Sequence, residues 1–173
     1  MMTFKQSLAR LISSLLLAVL SLAGLSSNAG EFPVAEAVVV EKEARKLHLI
    51  IDGKPFRTFD IALGIRPIGD KKQEGDFRTP EGSYRLDARN PNSDYFLSIH
   101  VSYPSARDVA EARELGVDPG GAIMIHGQPN QPNQSETYYK TQDWTNGCIA
   151  VSNSDMIDIW LMTNENTPIE ILP

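Results

Sequence analysis

Short runs of apolar and alternating residues dominate the first part of the chain after residue 30. The runs at residues 37–41, 46–51 and 55–62 are rich in β-branched side chains, which predicts three strands. The dipeptide Asp52-Gly53 separates the second run from the third and is a strong signal for a tight hairpin. We therefore expect the domain to open as a β-meander.

Strands continue to alternate with loops further along the chain. The pattern predicts strands at residues 83–88, 95–101 and 167–172 and a strand-like run at residues 123–127. Residues 64–82 are rich in Gly, Pro and charge, which indicates a long ordered connection of the kind that often carries function. Residues 128–134 contain two prolines among Asn and Gln and predict an exposed loop.

Two short helices are expected to interrupt the strands. Ser105 precedes Asp108 by three residues, and Ser152 precedes Asp155 by the same spacing, which is the pattern of a helix N-terminal capping box. An apolar stripe follows each box, and Gly116 is suited to end the first helix. Together the elements predict a mainly β domain of sandwich type with two short helices.

The N-terminal residues have the pattern of an export signal. Two basic residues precede an apolar run at residues 11–25, and small residues follow at 27–29. The run of fifteen residues is shorter than the roughly 20 needed to cross a membrane, which disfavours the alternative of an uncleaved anchor. No cysteine directly follows the run, so an acylated anchor is excluded. We predict a signal peptide at 1–29, a single domain at 30–173 and export, most simply to the periplasm of a Gram-negative bacterium.

Charge and cysteine content narrow the possible partners. Residues 30–173 carry 14 Lys and Arg, the chain's 16 less Lys5 and Arg10, against 22 Asp and Glu, which gives a net charge of about −8. Such a surface disfavours nucleic acid as a partner. One cysteine cannot form an internal disulfide, so Cys148 is either a small buried hydrophobe or a reactive thiol.

A candidate nucleophile and base stand about twenty residues apart in the sequence. Cys148 closes the segment 143–148, and His126 lies in the strand-like run that precedes it. The thiolate is the reactive form of cysteine, and a nearby imidazole can generate it. The pair predicts nucleophilic catalysis by Cys148 with His126 as its base.

Three ordered segments resemble the YkuD-type L,D-transpeptidases of bacterial cell walls. They are residues 74–82, which contain a Thr-Pro-x-Gly sequence, residues 125–127 (Ile-His-Gly), and residues 145–148 (Thr-Asn-Gly-Cys). The family signature reads His, a spacer, then Ser/Thr-His-Gly-Cys. His126 and Cys148 take the places of its base and its nucleophile, and the implied fold is a β-sandwich with a cleft at the cysteine.

The sequence departs from this signature at three points. Asn146 replaces the second histidine, and the spacer of 18 residues between His126 and Thr145 is slightly longer than usual. Asn146 can still form hydrogen bonds but cannot tune the thiol as an imidazole would. Ala150 stands where the family often carries an arginine, which predicts a difference in substrate recognition.

The resemblance implies acyl transfer from a peptidoglycan stem peptide. Cys148 would attack the carbonyl before the terminal D-alanine, release D-alanine and leave a thioester. An amine of a second stem, or a lysine of an envelope protein, would then accept the acyl group. Water would instead make the protein a carboxypeptidase or endopeptidase, and a catalytically silent wall-binding module is a third alternative. The chemistry requires no metal or organic cofactor, and the oligomeric state stays open.

Further site residues are expected around this pair. We expect Thr145, Asn146, Gly147 and Gly127 to support the site. The backbone N–H groups of Gly147 and Cys148 are the expected oxyanion donors. Substrate contacts are assigned to His100, Tyr103 and Trp144, although Trp144 alternatively packs the loop before the nucleophile. Three histidines and one cysteine lack the paired spacing of a metal site, so none is predicted.

Overall fold

The computed structural model describes residues 32–173, so the predicted signal peptide and its cleavage boundary lie outside the described residues. Within these residues the chain forms eight strands and three short helices. The strands are β1 Ala37–Glu41, β2 Lys46–Ile51, β3 Lys54–Asp60, β4 Gly82–Ser93, β5 Phe96–Val101, β6 Met124–His126, β7 Ile149–Ala150 and β8 Thr167–Leu172. The helices are α1 Ala106–Leu115, α2 Glu136–Thr141 and α3 Asn153–Met162. The mainly β fold class expected from the sequence is confirmed.

All eight strands belong to one sheet, in the order β3-β2-β1-β8-β4-β5-β6-β7. The sheet bends until its two ends meet, because Ala62, just after β3, and Ala150 of β7 exchange both backbone hydrogen bonds at 2.8 Å. The two layers of the sandwich are therefore parts of one continuous sheet. Residues 32–173 contain no helix long and apolar enough to cross a membrane.

The alternation of apolar positions explains which faces are buried. Val38 and Val40 of β1 are fully buried, as are Leu47 and Leu49 of β2 on the neighbouring strand. Burial of each such side chain contributes about 1.5–3 kcal/mol. The apolar face of α3 covers the same core. Alternate side chains of the strands and the apolar face of the helix thus form a single core, which contains no disulfide.

The two expected helices begin at their capping residues. The Ser105 side chain accepts a hydrogen bond from the Asp108 backbone N–H, and α1 is followed by Gly116 in the left-handed conformation, with φ 70°. At α3 the Ser152 side chain accepts from the Asp155 backbone N–H at 3.1 Å. Both helices follow the predicted boxes.

The helix α2 was not expected from the sequence. Its six residues are too few to display a helical period, and Ser135 caps it without an acidic residue three positions later. Tyr139 of this helix is buried, and its hydroxyl donates to Asn133 Oδ1 at 2.8 Å.

The strand β4 also extends beyond its expected end at residue 88 and reaches Ser93. Asn90, Pro91 and Asn92 read as turn residues in the sequence. A shift of register between Asn90 and Ser93 accommodates them within the strand, as β-bulges do. The longer strand carries its hairpin tip to the edge of the cleft described below.

Residues 64–82 form the expected long ordered connection. The buried Lys42 holds it by donating to Gly69 O at 2.7 Å, Thr79 O at 3.0 Å and Glu81 Oε1 at 2.7 Å. Asp76 accepts hydrogen bonds from the backbone N–H groups of residues 72, 73 and 78. Burial raises the pKa of Asp76, but these donors outweigh it and lower the pKa. The loop is thus held by the hydrogen-bonded charges of Lys42 and Asp76.

Candidate active site

A cleft of about 780 Å³ lies between the β4–β5 hairpin, residues 71–77, residues 120–124 and the segment before β7. His126 and Cys148 both line it, as do Trp144, Thr145 and Asn146. These five residues were all singled out from the sequence, and the structure brings them to the same cleft. A pocket of this size suits a peptide ligand.

The pairing of β6 with β7 brings the histidine and the cysteine together. His126 is the register partner of Ala150, and the Val151 N–H donates to the His126 carbonyl at 2.9 Å. Cys148 directly precedes β7, so the same parallel register places it beside Met124. Met124 and His126 are two residues apart on one strand and therefore share a face. The candidate base on β6 and the candidate nucleophile directly before β7 are thus neighbours across this strand pair.

His126 is held in one tautomer. Its Nδ1 lies 2.7 Å from the Gly127 carbonyl oxygen, which can only accept, so Nδ1 carries the proton and Nε2 keeps a lone pair. Burial lowers the pKa of His126 to about 4, against a smaller raising effect of the Gly127 hydrogen bond. The imidazole is therefore neutral at neutral pH and can accept a proton at Nε2.

Cys148 is a thiol rather than a thiolate at rest. Burial raises the pKa of Cys148, and a hydrogen bond from the Met124 backbone and the positive charge of Lys71 oppose this rise without cancelling it. Its Sγ lies 3.6 Å from the Ala122 carbonyl oxygen, within reach of a weak S–H hydrogen bond. Both groups are uncharged near pH 7, which is the starting state for general-base activation at the moment of attack.

Thr145 closes the loop that presents the thiol. Its hydroxyl donates to the Cys148 carbonyl at 2.7 Å and accepts from the Gly147 N–H at 3.1 Å. The Gly147 N–H is therefore occupied, contrary to its expected part as an oxyanion donor. Within residues 32–173 the Cys148 N–H has no hydrogen-bond partner and is the donor that remains available.

Glycines permit close contacts between backbone segments beneath the nucleophile. A Cβ at Gly147, where φ is 129°, would lie 2.6 Å from the Arg78 carbonyl oxygen. A Cβ at Gly64 would lie 2.1 Å from the Phe77 carbonyl oxygen. The segment 74–82 therefore packs directly under residues 143–148, the nucleophile loop. This contact gives a structural reason for the family resemblance of residues 74–82. Gly127 is equally confined, since a Cβ there would lie 2.5 Å from Asn153 Oδ1.

Asp143 anchors the start of the loop 143–148, through partners that sequence reasoning did not identify. Its Oδ1 accepts from the Leu63 N–H at 2.8 Å, and its Oδ2 pairs with Arg45 at 2.7 Å. Thr145 and residues 63–65 add two backbone hydrogen bonds of 3.0 and 3.1 Å. No local sequence signal identifies this anchor, because its partners are about 80 to 98 residues away.

Aromatic rings surround the imidazole. The Tyr95 ring centroid lies 4.6 Å from that of His126, and the Trp144 centroid lies 5.6 Å from it. Trp144 Nε1 donates to the Tyr139 carbonyl at 3.2 Å, and the two rings meet edge to face. Trp144 thus both packs the loop and lines the cleft. Sequence reasoning did not single out Tyr95.

Two expected substrate contacts lie elsewhere. His100 Nδ1 is 2.6 Å from Asp87 Oδ1, and His100 is not among the residues that line the cleft. Tyr103 is buried in the core, where its hydroxyl donates to the Pro119 carbonyl at 2.8 Å. Ala150 is buried against Ala62, so no side chain extends from that position into the cleft.

Comparison with known proteins agrees with this geometry. The sequence model of the YkuD family, described as the L,D-transpeptidase catalytic domain, matches residues 35–171. A curated Escherichia coli K12 protein named "Putative L,D-transpeptidase YafK" is 29% identical over 140 residues, which cover 70% of this chain and 55% of that protein.

Solved structures give the same fold. The helical cell shape determining protein Pgp2 of Campylobacter jejuni is 28% identical, with a TM-score of 0.59 over 78% of this chain and 46% of that one. An L,D-transpeptidase of Mycobacterium smegmatis, 15% identical, has a TM-score of 0.53 over 79% of this chain and 58% of that one and shares the fold. The chain spans about half the length of the first relatives it matches.

Proposed function

Because this chain belongs to the YkuD family of L,D-transpeptidase catalytic domains, we propose that it is a cysteine acyltransferase that acts on peptidoglycan stem peptides. The observation that supports the proposal is that a neutral His126 on β6 and the Cys148 thiol, directly before the adjacent strand β7, line one cleft. We also propose that the chain is exported and works in the periplasm, at the cell wall.

In the proposed first half-reaction, His126 acts as the base and Cys148 as the nucleophile. His126 Nε2 takes the Cys148 proton while the sulfur attacks the carbonyl carbon of the donor amide. The oxygen of the tetrahedral intermediate receives the Cys148 N–H as a donor. The C–N bond then breaks, the imidazolium returns its proton to the leaving amine, and D-alanine departs from a tetrapeptide donor. The acyl group stays on Cys148 as a thioester.

In the second half-reaction an acceptor amine is the nucleophile and the Cys148 thiol is the leaving group. A free amine enters the cleft, His126 takes a proton from it, and the nitrogen attacks the thioester carbonyl. The thiol leaves and recovers its proton from His126. When the amine belongs to a second stem the product is a 3-3 cross-link, and when it belongs to a lysine of an envelope protein the product is a protein attachment.

A mass-spectrometric assay tests the proposal. The domain without residues 1–29 is incubated with a disaccharide tetrapeptide, beside its Cys148→Ala and His126→Ala variants. We expect loss of D-alanine, a thioester adduct on the wild-type protein and a dimeric product, and none of the three with Cys148→Ala. A wild-type protein that gives neither adduct nor product with this donor would overturn the tetrapeptide assignment.

The charge of the cleft favours a second candidate, hydrolysis of an amide whose leaving amine carries no carboxylate. Lys71 is the single Lys or Arg that lines the cleft within residues 32–173, and Asp76 pairs with it at 2.9 Å. Glu74 and Asp94 also line the cleft and form no ion pair in the described part of the chain. A departing D-alanine carboxylate therefore finds no free cation, whereas a lysine side chain released from a protein–peptidoglycan link meets acidic groups.

Parallel substrates separate the two candidates. A stem peptide joined through its diaminopimelate carbonyl to the side chain of a lysine peptide is compared with a tetrapeptide that ends in D-alanine. A hydrolase of protein links cleaves the first substrate faster and gives no cross-linked dimer. A transpeptidase prefers the second and forms dimer in proportion to the amine supplied. Cys148→Ala controls for contaminating activity in both arms.

A further inference from the structure

The exposed tyrosine at the tip of the β4–β5 hairpin covers the buried imidazole. Tyr95 is 40% exposed, yet its ring centroid lies 4.6 Å from that of His126, at an interplanar angle of 42°. The same ring stacks on Trp144 at 6.0 Å and 30°. The three ring centroids form a triangle with sides of 4.6, 5.6 and 6.0 Å, so the imidazole packs against both aromatic rings, and His126 is only 4% exposed.

The hairpin tip is fastened in this position. Asn130 makes three hydrogen bonds to it: its backbone N–H donates to Asp94 O at 2.9 Å, its Nδ2 donates to Ser93 O at 2.9 Å, and its Oδ1 accepts from the Phe96 N–H at 2.9 Å. Gly127 lets the tip approach, since a Cβ there would lie 3.1 Å from the Tyr95 carbonyl oxygen. The loop 128–134, which the sequence presented as a plain connection, thus holds the tyrosine over the base.

We propose that Tyr95 is a positioning residue for His126: its ring packs on the imidazole beside Trp144 and excludes water from it, so that Nε2 stays an unprotonated acceptor. This inference rests on the proposed function, in which His126 is the base. An imidazole without this cover would be solvated on one face, and water stabilises its protonated form. Tyr95 therefore acts on the reaction through His126 rather than by contact with the reacting atoms.

The other titratable groups that line the cleft are unchanged when the Tyr95 ring is removed. Asp94 is on the same hairpin, Lys71 and Glu74 face the cleft from the loop 64–82, and Cys148 faces it from the segment before β7. Acidic groups raise the pKa of a histidine and a lysine lowers it, but neither class changes between Tyr95→Ala and Tyr95→Phe. A comparison of the two variants therefore reports the effect of the aromatic ring alone.

A histidine titration by NMR tests the inference without substrate. The chain is labelled with ¹³C-histidine, and the His126 signal is assigned from its loss in a His126→Gln variant. The wild-type protein should titrate near the pKa of about 4 that burial of His126 imposes. We expect Tyr95→Ala to raise that pKa by about one unit or more toward the ordinary value of about 6.5. Tyr95→Phe should leave it unchanged.

Matched variants make the result specific. Tyr138 is 38% exposed, packs on Tyr139 and is outside the cleft lining, so Tyr138→Ala should not move the His126 titration. Asn130→Ala releases the hairpin and should move it in the same direction as Tyr95→Ala. An unchanged titration in Tyr95→Ala would overturn the inference, as would a Tyr95→Phe protein that behaves like Tyr95→Ala.

Activity gives a second readout. In Tyr95→Ala the acid limb of kcat/KM should move to higher pH, so that activity at pH 5 falls about twofold relative to pH 7 while the wild type changes little. Tyr95→Phe should restore the wild-type profile. If no Cys148-dependent product forms with any substrate, the proposed function fails, yet the NMR titration still decides whether Tyr95 shields His126.

Discussion

The hydroxyl of Thr145 donates a 2.7 Å hydrogen bond to the carbonyl oxygen of Cys148, three residues further along the chain. The same oxygen atom of Thr145 accepts from the Gly147 N–H at 3.1 Å. Thr145 is almost fully buried, so neither backbone group has a ready substitute in water. One side chain therefore fixes the conformation of the loop that carries the thiol.

Thr145→Val should destabilise the protein and misplace the nucleophile. The substitution keeps the shape of the side chain but leaves two buried backbone groups unpaired, which costs about 1–3 kcal/mol. Thr145→Ser keeps the hydroxyl and should cost about 1 kcal/mol or less through the lost methyl group. Urea unfolding and the rate of thioester formation measure both effects. Equal stability of the Val and Ser variants would contradict this role.

The reactivity of Cys148 should rise with pH well above neutrality. Burial raises the pKa of Cys148, and the neutral His126 supplies no imidazolium to lower it, so little thiolate exists at pH 7 in the absence of substrate. The rate of iodoacetamide alkylation, followed by intact mass between pH 5 and 10, should increase throughout that range. The single cysteine makes the product unambiguous. A high plateau that begins below pH 7 would instead indicate a preformed thiolate–imidazolium pair.

Acid should destabilise the fold through His126. The unfolded chain binds a proton at this histidine near its ordinary pKa of 6.5, whereas the folded chain binds it near pH 4. Because the folded pKa is the lower one, stability that is present above pH 6.5 is lost as the pH falls toward 4, by about 3 kcal/mol in total.

Urea unfolding of wild type and His126→Gln at pH 7, 5.5 and 4 measures this loss. The glutamine variant lacks the titrating group, so its stability should fall less over the same interval. The difference between the two proteins removes contributions from other residues. Parallel curves for both proteins would show that His126 does not carry the acid sensitivity.

Gly147→Ala should be far more damaging than an equivalent change elsewhere. The new Cβ would lie 2.6 Å from the Arg78 carbonyl oxygen, at a φ of 129° that suits glycine. We expect a loss of about 3 kcal/mol or more in the free energy of unfolding, together with loss of activity. Gly53→Ala is the control, since Gly53 also has a positive φ, 68°, but no atom lies within 4 Å of its Cβ position. That variant should lose about 1 kcal/mol and remain active.

Local signals explain why much of the fold was predictable. The strands β1, β2 and β8 have the bounds that alternation indicated, because each buries one face against a neighbour. Capping boxes located α1 and α3. The helix α2 escaped prediction because it has only six residues, and Tyr139 is buried through tertiary contacts that no window of sequence contains.

The candidate site also contains residues that the sequence indicated and residues that it did not. His126 and Cys148 carry reactive groups and a recognisable spacing, so sequence alone selected them as candidates, and both line the cleft. Tyr95 and Asp143 carry no such signal, since their importance comes from partners brought near by the fold. His100 is on a strand that the sequence predicted, and that strand pairs with β6, but the His100 side chain pairs with Asp87 away from the cleft lining. A strand assignment predicts neighbours more reliably than it predicts what each side chain contacts.

The anchor between Arg45, Leu63 and Asp143 gives the nucleophile loop a place in the order of folding. Its contacts join parts of the chain separated by 80 and 98 residues. Contacts of such long range cost much loop entropy and form late, after hairpins such as β2–β3. The arrangement around Cys148 should therefore arise only when both halves of the domain have condensed, so we expect a partly folded chain to carry an ordinary thiol without the neighbours that the folded cleft gives it.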